Sequence, residues 1–115
     1  MNIFEQALEL FGSGQNFAFA TIITQDGSAP RSSGSKMIIT PDQIYFTIGG
    51  GGMEGSVIRI AREEVLVHKK PVIQFYSMKP SEAADSDFIC GGEIEVLIDF
   101  IDVSDANNWQ VFEAA

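Results

Sequence analysis

Four consecutive glycines, Gly49 to Gly52, separate a β-branched and aromatic run ending at Ile48 from a helical pattern that continues to His68. Glycine loses more backbone freedom on folding than any other residue, so an unbroken run marks a sharp turn or a close approach to the backbone. Between a strand and a helix, the glycine amides turn toward one point at the helix's positive end, an arrangement suited to a phosphate or oxyanion. Gly50-x-Gly52-x-x-Gly55 also satisfies the dinucleotide fingerprint. That fingerprint requires an acid at the end of the following strand, roughly 20 residues on. Here the strand ends in Tyr76-Ser-Met-Lys79, and the next acid is Glu82. The competing reading is a glycine-rich turn that only permits tight strand-to-helix packing.

The segments around this punctuation predict an α+β fold. Asn2 with Glu5 three residues on gives a capping box, and Ile3, Phe4, Ala7, Leu8, Leu10 and Phe11 recur at helical spacing until Gly12 interrupts them. Phe17 to Thr24 reads as a strand, and Lys36–Thr40 and Gln43–Ile48 read as a hairpin turning at Pro41-Asp42. Met53 to His68 is a second helix, with His68, Lys69 and Lys70 complementing its carbonyl end. Pro71–Met78 is a further strand. From Glu93 to Asp102, Ile94, Val96, Ile98 and Phe100 alternate with mostly acidic positions, as in a strand with one face in the core. Ser104 is placed to cap a short last helix carrying Trp109 and Phe112. About five strands and two to three helices result. A helix between the strands ending at Ile48 and starting at Pro71 forms a local βαβ unit, so the sheet is expected to be mixed, with a parallel part.

Charge is segregated along the chain. Seven acids and seven bases balance from Met1 to Lys79, whereas nine acids and no Lys or Arg follow from Pro80, so the whole net charge of −9 belongs to the last third. An acidic chain of this kind is not a nucleic-acid binder. With 115 residues it is read as one domain spanning 1–115, and 45% hydrophobic residues suffice for a core. No apolar run approaches the roughly 18 residues that cross a membrane, and one cysteine makes no internal disulfide, so a cytoplasmic protein is expected. The sequence offers no Ser/His/Asp set, no paired metal-ligand spacing and no phosphate-binding lysine motif, which gives catalysis little support.

Three candidate groups remain beside the glycines. Arg31 with Ser32, Ser33, Ser35 and Lys36 offers a guanidinium and hydroxyls to a phosphate or carboxylate, although a lone loop arginine is commonly solvated. Glu54 falls in the first helical turn, where it complements the dipole but would repel an anion. Cys90 precedes Gly91 and Gly92, where a thiol binds a soft metal if accessible and is a small core residue if buried.

Taken together, Ala20-Thr-Ile-Ile-Thr-Gln-Asp-Gly-Ser-Ala-Pro-Arg-Ser-Ser-Gly-Ser-Lys-Met37, Thr47-Ile-Gly-Gly-Gly-Gly-Met-Glu-Gly55 and Cys90-Gly-Gly-Glu-Ile-Glu-Val-Leu97 resemble the N-terminal domain of the XdhC/CoxI family, over roughly residues 5 to 102. Members are accessory proteins of xanthine dehydrogenase and carbon monoxide dehydrogenase. The resemblance implies a non-catalytic role: binding molybdenum cofactor as cargo and passing it to an apo molybdenum hydroxylase. It implies a cofactor site at Arg31, Ser32, Ser33, Gly49, Gly50, Gly51, Gly52, Glu54 and Cys90, with Cys90 as a molybdenum ligand. It also implies a cysteine desulfurase, a separate Rossmann-domain protein and a second copy of the chain as partners. Many members have a cysteine where this chain has Gly52, and many carry a C-terminal Rossmann-like domain, for which 115 residues leave no room. A cofactor-free scaffold and a generic nucleotide- or phosphate-binding domain are the alternative readings.

Overall fold

The structure, a computed structural model, describes residues 2–25, 35–48, 51–77 and 93–114. Helix α1 (Ile3–Ser13) begins as expected: the Asn2 side chain accepts the Glu5 backbone N–H at 2.9 Å, and Glu5 accepts the Asn2 N–H at 2.8 Å. Its end differs from the expectation. Gly12 stays helical, and the stop is Gly14, whose left-handed φ of 77° lets its N–H reach the Leu10 and Phe11 carbonyls.

Strand β1 (Phe17–Gln25), β2 (Lys36–Ile39) and β3 (Ile44–Phe46) follow. Phe46 takes a left-handed φ of 66°, which ends β3 and swings the chain off the sheet. Helix α2 (Gly51–Ile60) passes through a π-helical turn (Ala61–Val65) into α3 (Leu66–His68), so the helix starts two residues before Met53 and absorbs two of the glycines. Strands β4 (Val72–Ser77) and β5 (Glu93–Ile101) and helix α4 (Ala106–Ala114) complete the chain. The cap of α4 is Asp105, which accepts the Asn107 N–H at 2.9 Å; Ser104 instead gives its hydroxyl and its N–H to Asp102.

The strands form one sheet in the order β3-β2-β1-β5-β4, and every pairing among the described residues is antiparallel. The α+β class and five strands are as expected; the parallel part is not. Following the pairings across the sheet shows why. β3 and β4 do run in the same direction, as a βαβ crossover requires, but β2, β1 and β5 stand between them. Long-range pairing of β1 with β5 took the place beside β4, and no local pattern announces it.

Side-chain alternation sends two cores to opposite faces. Ala18, Ala20, Ile22, Met37, Ile39, Ile94, Val96 and Ile98 pack beneath Met53, Val57, Ile60, Ala61 and Val65 of the long helix. On the other face Phe17, Phe19, Ile38 and Ile101 pack beneath Ala7 and Leu10 of α1 and Phe112 of α4. Phe112 is the hub of this second core, with ring centroids 5.1 to 6.3 Å from those of Phe4, Phe11, Phe17 and Phe19. The acidic stripe expected on β5 is present at Glu95 and Asp99, but β5 is a central strand and both residues are half-buried.

Candidate functional site at the glycine end of the second helix

Strand direction sorts the connections into two groups. β1 ends and β2 starts at one end of the sheet, β3 also ends there, α2 starts just beyond it, and β4 ends and β5 starts there. The segments 26–34, 49–50 and 78–92 therefore all leave from and return to the same end. Arg31, Ser32, Ser33, Gly49, Gly50 and Cys90 belong to those segments and lie outside the described residues. Gly51, Gly52 and Glu54 occupy the first turn of α2 at that end.

The geometry of that turn bears on why the glycines are there. Gly52 and Gly55 lie on the exposed side of α2, neither has a positive φ, and a Cβ built on either would meet nothing within 4 Å among the described residues. Among the described residues, tight packing against the strands is therefore not what Gly52 or Gly55 provides. A glycine inside a helix costs about 1 kcal/mol relative to alanine. At these two positions no contact with the described residues offsets that cost. What the absent side chains leave is bare helix backbone, open to whatever approaches the positive end of an extended helix.

Polar side chains gather around it. The Thr47 hydroxyl, just past β3, donates to the Glu54 carboxylate and fastens the strand end to the first helical turn. Glu54 is half-buried, so the local work of this carboxylate is to hold the turn. One turn on, Ser56 shares a hydrogen bond of 2.8 Å with the Tyr76 phenol from β4. Burial pushes the Tyr76 phenol above its ordinary value, partly offset by the Ser56 bond and the nearby Arg59 charge. Arg59 is exposed and pairs loosely with Glu63 at 3.8 Å, and Lys36 starts β2 at the same end of the sheet. Sequence reasoning did not single out Ser56 or Tyr76. Their meeting depends on β4 lying at the far edge under α2, which local spacing does not reveal.

The expected dipole role of His68 fits its place in the last helical turn, where its ring lies 3.9 Å from Glu64. That residue sits at the opposite end of the sheet, beside a cavity of about 390 Å³ lined by Glu64, His68, Lys70, Pro71 and Val72. Among the described residues no group of three or more His, Cys, Asp or Glu side chains is positioned to hold a metal ion, and no helix is long and apolar enough to cross a membrane.

The sequence model of the XdhC and CoxI family matches residues 10–77. This chain belongs to the XdhC/CoxI family. It is 37% identical over 101 residues to the uncharacterized protein YqeB of Escherichia coli K12, an alignment that covers 85% of this chain and 18% of that protein. It is also similar to a crystal structure described as a xanthine dehydrogenase from Bacillus halodurans, with a TM-score of 0.75 and 27% identity, covering 99% of this chain and 35% of the other. The XdhC/CoxI match therefore includes α2 and its glycines, whereas the relatives themselves are several times longer.

Proposed function

We propose that this XdhC/CoxI domain binds molybdenum cofactor as cargo at the glycine end of α2 and presents it to an apo molybdenum hydroxylase of the xanthine or carbon monoxide dehydrogenase type. The observation that carries the reading is the pair of exposed helical glycines, Gly52 and Gly55, that neither φ nor packing among the described residues requires. The cargo is a pterin dithiolene bearing a phosphate. In this reading the phosphate meets the amides of Gly49 to Gly52, Arg31 with Ser32 and Ser33 supplies a guanidinium and hydroxyls, and the Cys90 thiolate approaches molybdenum. Glu54 borders the site through Thr47. The acceptor enzyme, a cysteine desulfurase that sulfurates the cargo, and a separate Rossmann-domain protein are the proposed partners, in the cytoplasm.

The test is coexpression with the cofactor pathway. The purified protein is expected to carry pterin fluorescence and molybdenum above the level of an unrelated acidic protein, and Gly52→Val is expected to lose both while keeping its circular dichroism spectrum. Absence of both signals from the wild type overturns the proposal. A cofactor-free scaffold is the second reading, favoured by the exposed apolar residues Ile23, Ile73 and Phe75 on the sheet. It predicts acceptor binding that needs no pterin and is unchanged by Arg31→Ala.

A further inference from the structure

Helices α1 and α4 share the sheet face opposite α2, and among the described residues a cleft of about 350 Å³ opens between them. Leu8, Phe11 and Gly12 line one wall, and Val103, Ser104 and Trp109 the other. The cleft lies where α1 runs toward the start of β1 and α4 follows the end of β5. The connections outside the described residues leave from the other end of the sheet. A Cβ built on Gly12 would meet nothing within 4 Å among the described residues. Trp109, the single tryptophan of the chain, is 40% exposed at the cleft, whereas Phe112 three residues on is buried. The volume falls within the roughly 300–1,000 Å³ of binding clefts, and a half-exposed indole beside apolar walls is the side chain that most often anchors a partner.

Charge narrows what fits there. α1, α4 and the turn before α4 carry Glu5, Glu9, Asp102, Asp105 and Glu113 and no Lys, Arg or His. Glu9 stands one helical turn before Gly12 and Glu113 one turn after Trp109, and both are exposed, so each wall of the cleft has a carboxylate beside it. Asp105 already meets the positive end of α4 by accepting the Asn107 N–H, whereas the last turn of α1 contains no basic residue. The carbonyl end of a helix favours a cation. Of the described cations, Lys69 acts on this rim, through Asp102, and leaves it with a net negative charge.

We propose that the cleft docks a basic amphipathic segment of another protein. One large apolar side chain enters between Leu8, Phe11 and Trp109, and flanking Lys or Arg side chains meet Glu9, Glu113 and the carbonyl end of α1. Two copies of this chain meeting through the same face would set these acids against their own copies, and an acidic segment would be repelled in the same way. The docking does not rest on the cargo reading, because α1 and α4 cover the opposite sheet face from α2.

Trp109, as the only indole, reports on the cleft directly. The probes are two synthetic amphipathic helices with identical Leu and Phe positions, one with a Lys and Arg polar face and one with a Glu polar face. The basic helix is expected to shift Trp109 emission to the blue, saturably, and to bind about tenfold or more tightly than the acidic one. That preference should shrink as salt rises from about 0.1 to 1 M, which shortens the Debye length from about 10 to 3 Å. Gly12→Leu fills open space with a better helix former and is expected to weaken the basic helix about tenfold with unchanged circular dichroism. Glu9→Lys combined with Glu113→Lys is expected to remove the preference for the basic helix. No response of Trp109 to the basic helix, equal responses to the two probes, or undiminished binding by both variants overturns the proposal. Wild type sedimenting at twice the 12.5 kDa chain mass, with Gly12→Leu at the single mass, assigns the cleft to a second copy and overturns it as well.

Discussion

At the end of the sheet where β2 turns into β3, polar groups are spent inside the fold. Thr40, only 1% exposed, accepts the Gln43 N–H at 2.9 Å and donates to Asp42, while Arg62 of the long helix donates to the Thr40 carbonyl at 3.0 Å. The phenylalanine cluster around Phe112 and the bond from the Val103 N–H to Asn16 close the same end. At the opposite end, where β1, β3 and β4 finish, α2 presents exposed glycines that meet no other described residue within 4 Å of a built Cβ. One end is organised to be stable, and the other spends helix propensity without a packing return from the described residues. Residues kept against the interest of stability are commonly kept for something that binds.

Breaking the closed end should therefore cost stability first and cargo only indirectly. Phe112→Ala removes the hub of four ring contacts and is expected to destabilise by about 3–5 kcal/mol, a large share of the roughly 5–15 kcal/mol available to a domain, as measured by urea denaturation. Thr40→Val takes the acceptor from the part-buried Gln43 N–H and the donor from Asp42, and should cost about 0.5–1.5 kcal/mol in the same assay. At the open end the sign reverses. Gly55→Ala fits without a clash and should stabilise by about 0.5–1 kcal/mol, a rise of about 2–6 °C in Tm.

The smallest effects are in pH dependence. The Ser104 hydroxyl and then its N–H hold the Asp102 carboxyl below the usual carboxylate range, at the closed end. The stability from that arrangement is present above the ordinary value of about 3.9 and is lost as pH falls through the lower folded value. Ser104→Ala should therefore reduce the acid-limb slope of a pH–Tm profile. Tyr76, raised chiefly by burial, behaves oppositely: its contribution is present below the ordinary value of about 10 and lost as pH rises through the higher folded one. Tyr76→Phe should flatten the alkaline limb of the same profile.

Local chemistry was legible where it depends on neighbours in sequence. The Asn2–Glu5 capping box, the alternation of Ile94, Val96 and Ile98, and the long amphipathic helix all follow from spacing and are all observed. What was not legible depends on residues far apart in the chain. The insertion of β5 between β1 and β4 removed the expected parallel pairing, and the contacts of Tyr76 with Ser56 and of Arg62 with the Thr40 turn exist only once the sheet order is set. Choosing Ser104 over Asp105 as the last cap failed for a different reason, since both are good caps and Asp102 captures Ser104. At the site, the glycine run pointed to α2, and what the sequence did not show is that Gly52 and Gly55 make no close contact with the described residues.

The most direct measurement pairs two readouts on Gly52→Ala and Gly55→Ala, each produced alongside the cofactor pathway: thermal stability, and bound pterin with molybdenum. The account predicts melting temperatures equal to or above wild type together with reduced pterin and molybdenum. Stability that falls, or cargo retained in full by both variants, would contradict it.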